Sequence, residues 1–211
     1  SLLTQSLTAF VQIIMNNLMR KYGSTSIYGS DIALSVYGMI IKVYQISHSM
    51  FVGVSSAIQP INGFNYGAKN YKRVHDCYKL AAKTAFVISL AWFTIFMIFP
   101  KFIGSLFVSD DLIYLDCAEH FFRIYMGTFF LYGIHMTTAS FFQGIGKPKR
   151  ALLIPLSRQA LFLIPLSLIL SSCFGLYGAL LAVPIADVLV FIVSIVLIKS
   201  EFNSWRKSDL L

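Results

Sequence analysis

Ile58-Gln59-Pro60-Ile61-Asn62-Gly63-Phe64-Asn65-Tyr66-Gly67-Ala68-Lys69-Asn70-Tyr71-Lys72-Arg73 is the stretch whose reading decides the fold. It ends a long apolar run and turns abruptly polar and basic. Gly63 and Gly67 are expected to break a helix there, and Lys69, Lys72 and Arg73 follow at once. A transmembrane helix leaves the bilayer on the cytoplasmic side in this way. The composition on either side agrees. Hydrophobic residues make up 57% of the 211 residues and charged residues 12%, where a soluble domain has roughly 45–50% and about 25%. A chain of this length cannot hide that much apolar surface in its own core, so the bilayer is its expected solvent.

Working outward, the sequence divides into six apolar runs. Spans are expected at about residues 2–19, 31–62, 74–99, 112–142, 151–172 and 176–198, with residues 201–211 as a cytoplasmic tail. The first run carries no charge, over close to the roughly 20 residues a helix needs to cross a bilayer. Short connections make neighbouring helices antiparallel. The expected fold class is therefore an all-α membrane protein with six transmembrane helices. The start at Ser1, without Met and directly inside an apolar run, suggests a piece whose N-terminal part is missing.

The basic residues choose an orientation. Lys69, Lys72, Arg73, Lys79 and Lys83 lie between spans two and three, Lys147, Lys149 and Arg150 between four and five, and Lys199, Arg206 and Lys207 after six. Eleven of the 17 Lys+Arg thus fall on one side, against Arg20, Lys21 and Lys101 on the other. The positive-inside rule makes the crowded side cytoplasmic, with both ends of the chain there. The net charge of +8 sits in short loops rather than on one basic face, which argues against nucleic acid as a partner. Cys77, Cys117 and Cys173 form no CxxC pair and read as apolar fillers.

Local chemistry marks the ends of the spans. Ser30 or Asp31 is expected to cap span two. Gly144 and Gly146 end span four, and Pro148 opens span five. Pro155, Pro165 and Pro184 fall inside spans five and six, either as local kinks or as unwound points beside a transport path.

Three charges remain deep inside the spans: Lys42, Arg158 and Asp187. An intramembrane charge costs at least ~2.5–3.5 kcal/mol, so each needs a partner or a cavity. Lys42 lies about 16 Å into its helix from Asp31, too deep for easy snorkelling, and is expected in a water-lined interior. Arg158 and Asp187 lie roughly 12 and 18 Å from the cytoplasmic end of sequential spans, and an Arg side chain covers that difference. We expect an Arg158–Asp187 pair, either a structural ion pair or a coupling element that breaks during alternating access. Glu119 and Arg123, nearer the outer end, are spaced as an i,i+4 pair.

Uncharged polar residues mark an inner face. Gln12 and Asn16 are one turn apart on span one, as are Gln45 and Ser49 on span two. His135 lies mid-way along span four, and Gln159 follows Arg158. Each reads either as helix–helix glue or as a ligand; together they describe the lining of a shared cavity. Tyr125, Phe129 and Tyr132 are candidate aromatic walls for a cation, with a lipid-facing role as the simpler alternative. Enzyme motifs are absent: the four histidines form neither HxxxH nor HExxH, and there is no P-loop.

The stretch from Gln59 to Arg73 resembles the loop between helices eight and nine of the multidrug and toxic compound extrusion (MATE) family. Phe142-Gln143-Gly144-Ile145-Gly146-Lys147-Pro148 resembles the loop after helix ten. Arg158-Gln159 with Phe162-Leu163-Ile164-Pro165 resembles helix eleven, and Pro184-Ile185-Ala186-Asp187 helix twelve. The spacing holds across nearly the whole chain and is most similar to the bacterial, MepA-like subgroup. The resemblance implies the C-terminal six-helix lobe of a twelve-helix transporter in the bacterial plasma membrane. It implies export of cationic, often aromatic, compounds by antiport against protons or sodium, with no cofactor beyond the coupling ion. The implied partners are a small cationic substrate, membrane lipid and the missing N-terminal lobe. One departure stands out. Some branches carry acids on helices seven and ten, but span one here has none and span four only Asp116 and Glu119, near its outer end. Coupling is then expected to rest on the other lobe, with Asp187 the only mid-membrane acid here. Two alternatives are a lipid-linked oligosaccharide flippase of the same superfamily, which needs more cations in its cavity, and a non-transporting membrane scaffold, which needs none of the buried charges.

Overall fold

The computed structural model describes residues 2–207; Ser1 and the tail residues 208–211 lie outside the described residues. The described chain is helical from end to end. Helices α1 (Leu2–Gly23), α2 (Gly29–Gly67) and α3 (Tyr71–Ile98) are followed by a short α4 (Pro100–Ser105) and by α5 (Leu112–Tyr125). A 3-10 turn at Phe129–Leu131 leads into α6 (Tyr132–Gly144). Helix α7 (Pro148–Leu156) passes through a π-helical segment at Ser157–Leu163 into α8 (Ile164–Lys207).

Two of these stretches are long and apolar enough to cross a bilayer by length and composition: Tyr71–Ile98, and the 59-residue run Pro148–Arg206. The second run suffices for two crossings because it folds back on itself. Gly175 takes φ 59°, ψ −133° in the middle of α8, a conformation open to glycine and costly for other residues. Residues eight apart in an unbroken helix are about 12 Å apart. Yet a Cβ on Gly178 would stand 1.9 Å from the Leu170 carbonyl oxygen. The chain therefore reverses at Gly175, and Gly178 lets the two arms of α8 touch backbone to backbone.

Helix α2 packs against α1, α3, α5 and α6, and α8 packs against the π segment, α1, α5 and α6. The larger apolar core, built on Met15, Ile40, Phe51, Phe96, Phe121, Phe122 and Leu180, fills the space between them. A second cluster, with Tyr78, Phe141, Phe142 and Trp205, sits at the end where the basic loops gather. Large apolar side chains such as Leu80, Val87, Ile98, Leu161 and Val196 remain exposed on the outer faces, as a lipid-solvated bundle requires. Glu119 holds Arg123 at 2.7 Å and Lys101 at 2.9 Å. The three cysteines are free.

Several local expectations need correction. Gly63 does not break α2, which continues to Gly67; the chain leaves the helix through Lys69, at φ 58°. Gly63 instead permits a close helix crossing. A Cβ there would stand 3.1 Å from the Gly144 carbonyl oxygen, and one on Gly144 would stand 3.0 Å from that of Gln59. Neither Ser30 nor Asp31 caps α2: the helix starts at Gly29 behind Tyr28, with no side-chain cap, and Ser30 donates to Asp31 at 3.4 Å. The span expected at 112–142 is broken between Tyr125 and Phe129. The break leaves backbone N–H groups of α6 without helical partners. Ser89 of α3 answers one of them, accepting from Gly133 N at 2.9 Å while donating to the Ala85 carbonyl at 2.8 Å. Helix α8 continues past residue 201 to Lys207.

Candidate functional site

The site begins with a proline. Pro155 has no N–H to give to the helix one turn back, and within two residues the backbone widens into the π segment Ser157–Leu163, whose last bond runs from Ile164 N to the Gln159 carbonyl, five residues back. Such wide turns occur mostly as local insertions at functional sites. Arg158 and Gln159 project from it.

Arg158 Nε donates to Asp187 Oδ1 at 2.7 Å, with side-chain exposures of 13% and 4%. The depth arithmetic of the sequence thus matches the geometry of the pair. The Thr128 hydroxyl stands beside the carboxylate and donates to the Pro184 carbonyl at 3.4 Å. The broken stretch before α6 and the proline of α8 therefore meet at the ion pair. Gln159 is fixed separately, its amide nitrogen donating to Thr8 Oγ1 at 2.8 Å.

In front of the pair lies a cavity of about 630 Å³. Helix α1 contributes Thr4, Thr8, Val11 and Gln12; α2 contributes Tyr37, Ile41, Tyr44, Gln45 and His48; α6 contributes Tyr132, His135, Met136, Ser140 and Gln143; and α7 with the π segment contributes Pro155, Arg158 and Gln159. The α2 residues fall at i, i+4, i+7, i+8 and i+11, one face of a 3.6-residue helix. Behind this wall the aromatic rings pack on one another. Tyr132 stacks on Phe129 with centroids 5.2 Å apart, meets His135 edge to face at 4.8 Å and hydrogen-bonds His48 Nδ1 at 2.6 Å.

Of the residues singled out from sequence, Gln12, Gln45, His135, Arg158 and Gln159 line this cavity, and Asp187 stands behind Arg158. Lys42 and Asn16 do not line it; both are exposed elsewhere. Lys42 sits one residue past Ile41, about 100° around the helix and off the cavity face. Asn16 lies a turn beyond Gln12, past the end of the cavity. Tyr125 and Tyr132 reach the wall, whereas Phe129 is core. His48, Tyr44, Tyr37, Gln143 and Thr8 were not anticipated. Periodicity from Gln45 would have found His48 and Tyr44, each on the same stripe.

The MatE family model matches residues 1–169. The chain belongs to the MatE family. Members of this family are transporters, not enzymes, and integral to the membrane. Multidrug export protein MepA of Staphylococcus haemolyticus is 23% identical over 191 residues, which cover 90% of this chain and 40% of that protein. MepA of Staphylococcus aureus (strain NCTC 8325) is likewise 23% identical, over 91% of this chain and 40% of its own length. A ligand-bound structure of the MATE multidrug transporter DinF-BH superposes with a TM-score of 0.81 at 35% identity, covering 95% of this chain and 44% of that one. An outward-facing multidrug resistance MATE transporter of the MOP superfamily shares the fold, with a TM-score of 0.85 at 21% identity, over 97% of this chain and 45% of that one. The MatE chain described here spans about 40% of the length of the curated relatives it matches, and its fold is one six-helix lobe of a twelve-helix MATE-type transporter.

Proposed function

We propose that this lobe is half of a secondary transporter that exports cationic, aromatic compounds across a bacterial plasma membrane in exchange for protons or sodium. The observation that carries the reading is the cavity: about 630 Å³ of space walled by tyrosines and amides, with a buried ion pair at its back. That volume suits a drug-sized ligand. A scaffold has no use for Arg158 and Asp187 beside such a space, since a buried pair stabilises no better than apolar residues of the same shape.

In this reading the basic end faces the cytoplasm, by the positive-inside rule, and the other lobe closes the cavity. The coupling acid belongs to that other lobe, because the wall formed here has no carboxylate among its described residues. The flippase alternative loses support for a related reason. A pyrophosphate calls for several cations, and with Lys42 off the cavity face Arg158 is the one cationic side chain in the described lining.

The test is efflux of the dye rhodamine 6G from everted vesicles that carry the full-length transporter, driven in turn by an imposed pH gradient and a sodium gradient. Export that follows one gradient and collapses with it supports the proposal and names the ion. Export that needs neither gradient, or none above empty vesicles, overturns it.

A further inference from the structure

Lys147 and Arg150 meet Glu201, and Lys101 and Arg123 meet Glu119. Lys79 and Lys83 of α3 have no such acid. Among the described residues neither of them makes an ion pair or a hydrogen bond. The one carboxylate on the helix, Asp76, lies 3.4 Å from His75 Nδ1. The two lysines stand one turn apart on a helix, and like charges at that spacing repel. An anion between them would turn the repulsion into a grip.

Their direction and depth say which anion. Helix α3 turns Val74, Tyr78, Ala81 and Ala85 to the core. Lys79 and Lys83 fall roughly 130° and 170° around the helix from the middle of that face, at about 100° per residue, and both are exposed. Lys83 shares a stripe with the exposed Leu80, Val87 and Leu90, at i, i+3, i+7 and i+10. A cation is thus set into a row of side chains that faces lipid. Residues 84–100 carry no charge and make about 25 Å of chain at helical rise, less than the roughly 30 Å of bilayer hydrocarbon. Lys83 therefore stands at the edge of the hydrocarbon. Lys79 lies about 6 Å further out, at the depth of the headgroups. Lys72 continues the same face but lies about 10 Å beyond Lys79, past the headgroups.

We infer that Lys79 and Lys83 form a site for the headgroup of an anionic phospholipid, in the leaflet at the basic end of the lobe, with its acyl chains lying along Val87 and Leu90. The phosphate enters between the two ammonium groups. A zwitterionic lipid offers the same phosphate but carries an ammonium of its own, which the pair repels, so the site selects the anionic lipid. Each lysine near an anionic lipid surface is worth about fivefold in affinity. The inference does not depend on what the transporter exports or on its coupling ion.

The experiment titrates the delipidated full-length transporter with phosphatidylglycerol and with phosphatidylcholine of the same acyl chains, and counts bound lipid by native mass spectrometry. The proteins are the wild type, Lys79→Gln/Lys83→Gln and, as a control of equal charge, Lys69→Gln/Lys149→Gln. Lys69 and Lys149 are exposed at the same end but lie outside α3. The wild type should take its first phosphatidylglycerol about tenfold more tightly than its first phosphatidylcholine. Lys79→Gln/Lys83→Gln should bring the two lipids within about twofold of each other, and the control should keep the preference. No preference in the wild type overturns the inference. So does an equal loss in both double variants, which assigns the effect to the general charge of that end. Amine acylation of the wild type in nanodiscs reads the contact without a substitution. Lys79 and Lys83 should be slowed by anionic lipid more than Lys69 and Lys149 are, and equal slowing of all four overturns the site.

Discussion

Helix α8 carries two buried carboxylates about 21 Å apart along one arm, and the lobe treats them in opposite ways. Glu201, 1% exposed, is bonded on both oxygens. Lys147, the cap of α7, and Arg150 in its first turn each bond one of its oxygens, and Trp205 Nε1 adds a third bond at 2.9 Å. Around it Tyr66, Tyr71, Phe202 and Phe141 surround the Trp205 ring. Asp187, 3% exposed, meets one nitrogen of Arg158, has the Thr128 hydroxyl beside it, and stands behind the cavity wall that Arg158 lines. A carboxylate held on both oxygens by three donors serves to hold the structure together. A carboxylate whose charged partner lines a cavity leaves that partner in contact with whatever enters the space. In this lobe the clamp sits at the basic end and the cavity-lining pair at mid-depth.

The contrast is broken most severely at Asp187. Asp187→Asn leaves Arg158 charged, nearly enclosed and without a counter-ion, and removing one member of a buried pair costs about 3–5 kcal/mol. The variant of the full-length transporter should unfold at clearly lower denaturant than wild type, measured by circular dichroism in detergent. Stability equal to wild type would mean that Arg158 finds water or another partner, and the pair would then not be what fixes its direction.

Glu201→Ala should cost less, about 2 kcal/mol, although it strips three bonds. Lys147 and Arg150 keep 34% and 39% of their side-chain surface and can turn out to water once the carboxylate is gone. The same unfolding measurement checks the ranking. A larger loss than for Asp187→Asn would reverse the order of clamp and cavity-lining pair.

Removing both partners separates holding from acting. Arg158→Leu/Asp187→Leu should be within about 1 kcal/mol of wild type, since a buried pair is often replaced by apolar residues without loss. Ion-driven efflux should nevertheless fall at least about tenfold if the pair serves transport. A stable variant with undiminished efflux assigns the pair to structure alone.

The two regions also differ in how far the sequence announced them. Arg158 and Asp187 were legible because a charge inside an apolar run demands a partner, and 1.5 Å per residue placed both at similar depth. Glu201 was not. A carboxylate just after an apolar run reads as solvated, and its partners Lys147 and Arg150 are more than fifty residues away. The six-helix architecture followed from hydropathy and loop charge, but the interruptions in it did not. Tyr125 to Leu131 is as apolar as a continuous span, and its break depends on Ser89 of another helix to receive a stray N–H. The π segment after Pro155 could be anticipated only as some irregularity beside a proline, and its width is a property of the packing. Lys42 shows a different limit: its depth was readable, but its direction around α2 needed the stripe through Tyr37, Ile41 and Gln45 to be laid out first.

The smallest test probes one bond of the Glu201 site. Trp205→Phe removes the Nε1–H that donates to Glu201 and keeps an aromatic ring among Tyr66, Tyr71 and Phe202. A single hydrogen bond contributes about 0.5–1.5 kcal/mol net, somewhat more toward a charged acceptor. The oxygen it leaves, Oε1, is still bonded by Lys147, so no buried acceptor is orphaned and the penalty for an unmet group does not apply. We expect a loss near about 1 kcal/mol and unchanged efflux. Asp187 has no second cation: losing Arg158 leaves its charge without a counter-ion in a low-dielectric interior. A loss at Trp205→Phe comparable to that at Asp187→Asn would mean that the two cations do not suffice for Glu201, and the clamp would then depend on the aromatic cluster rather than on its charges.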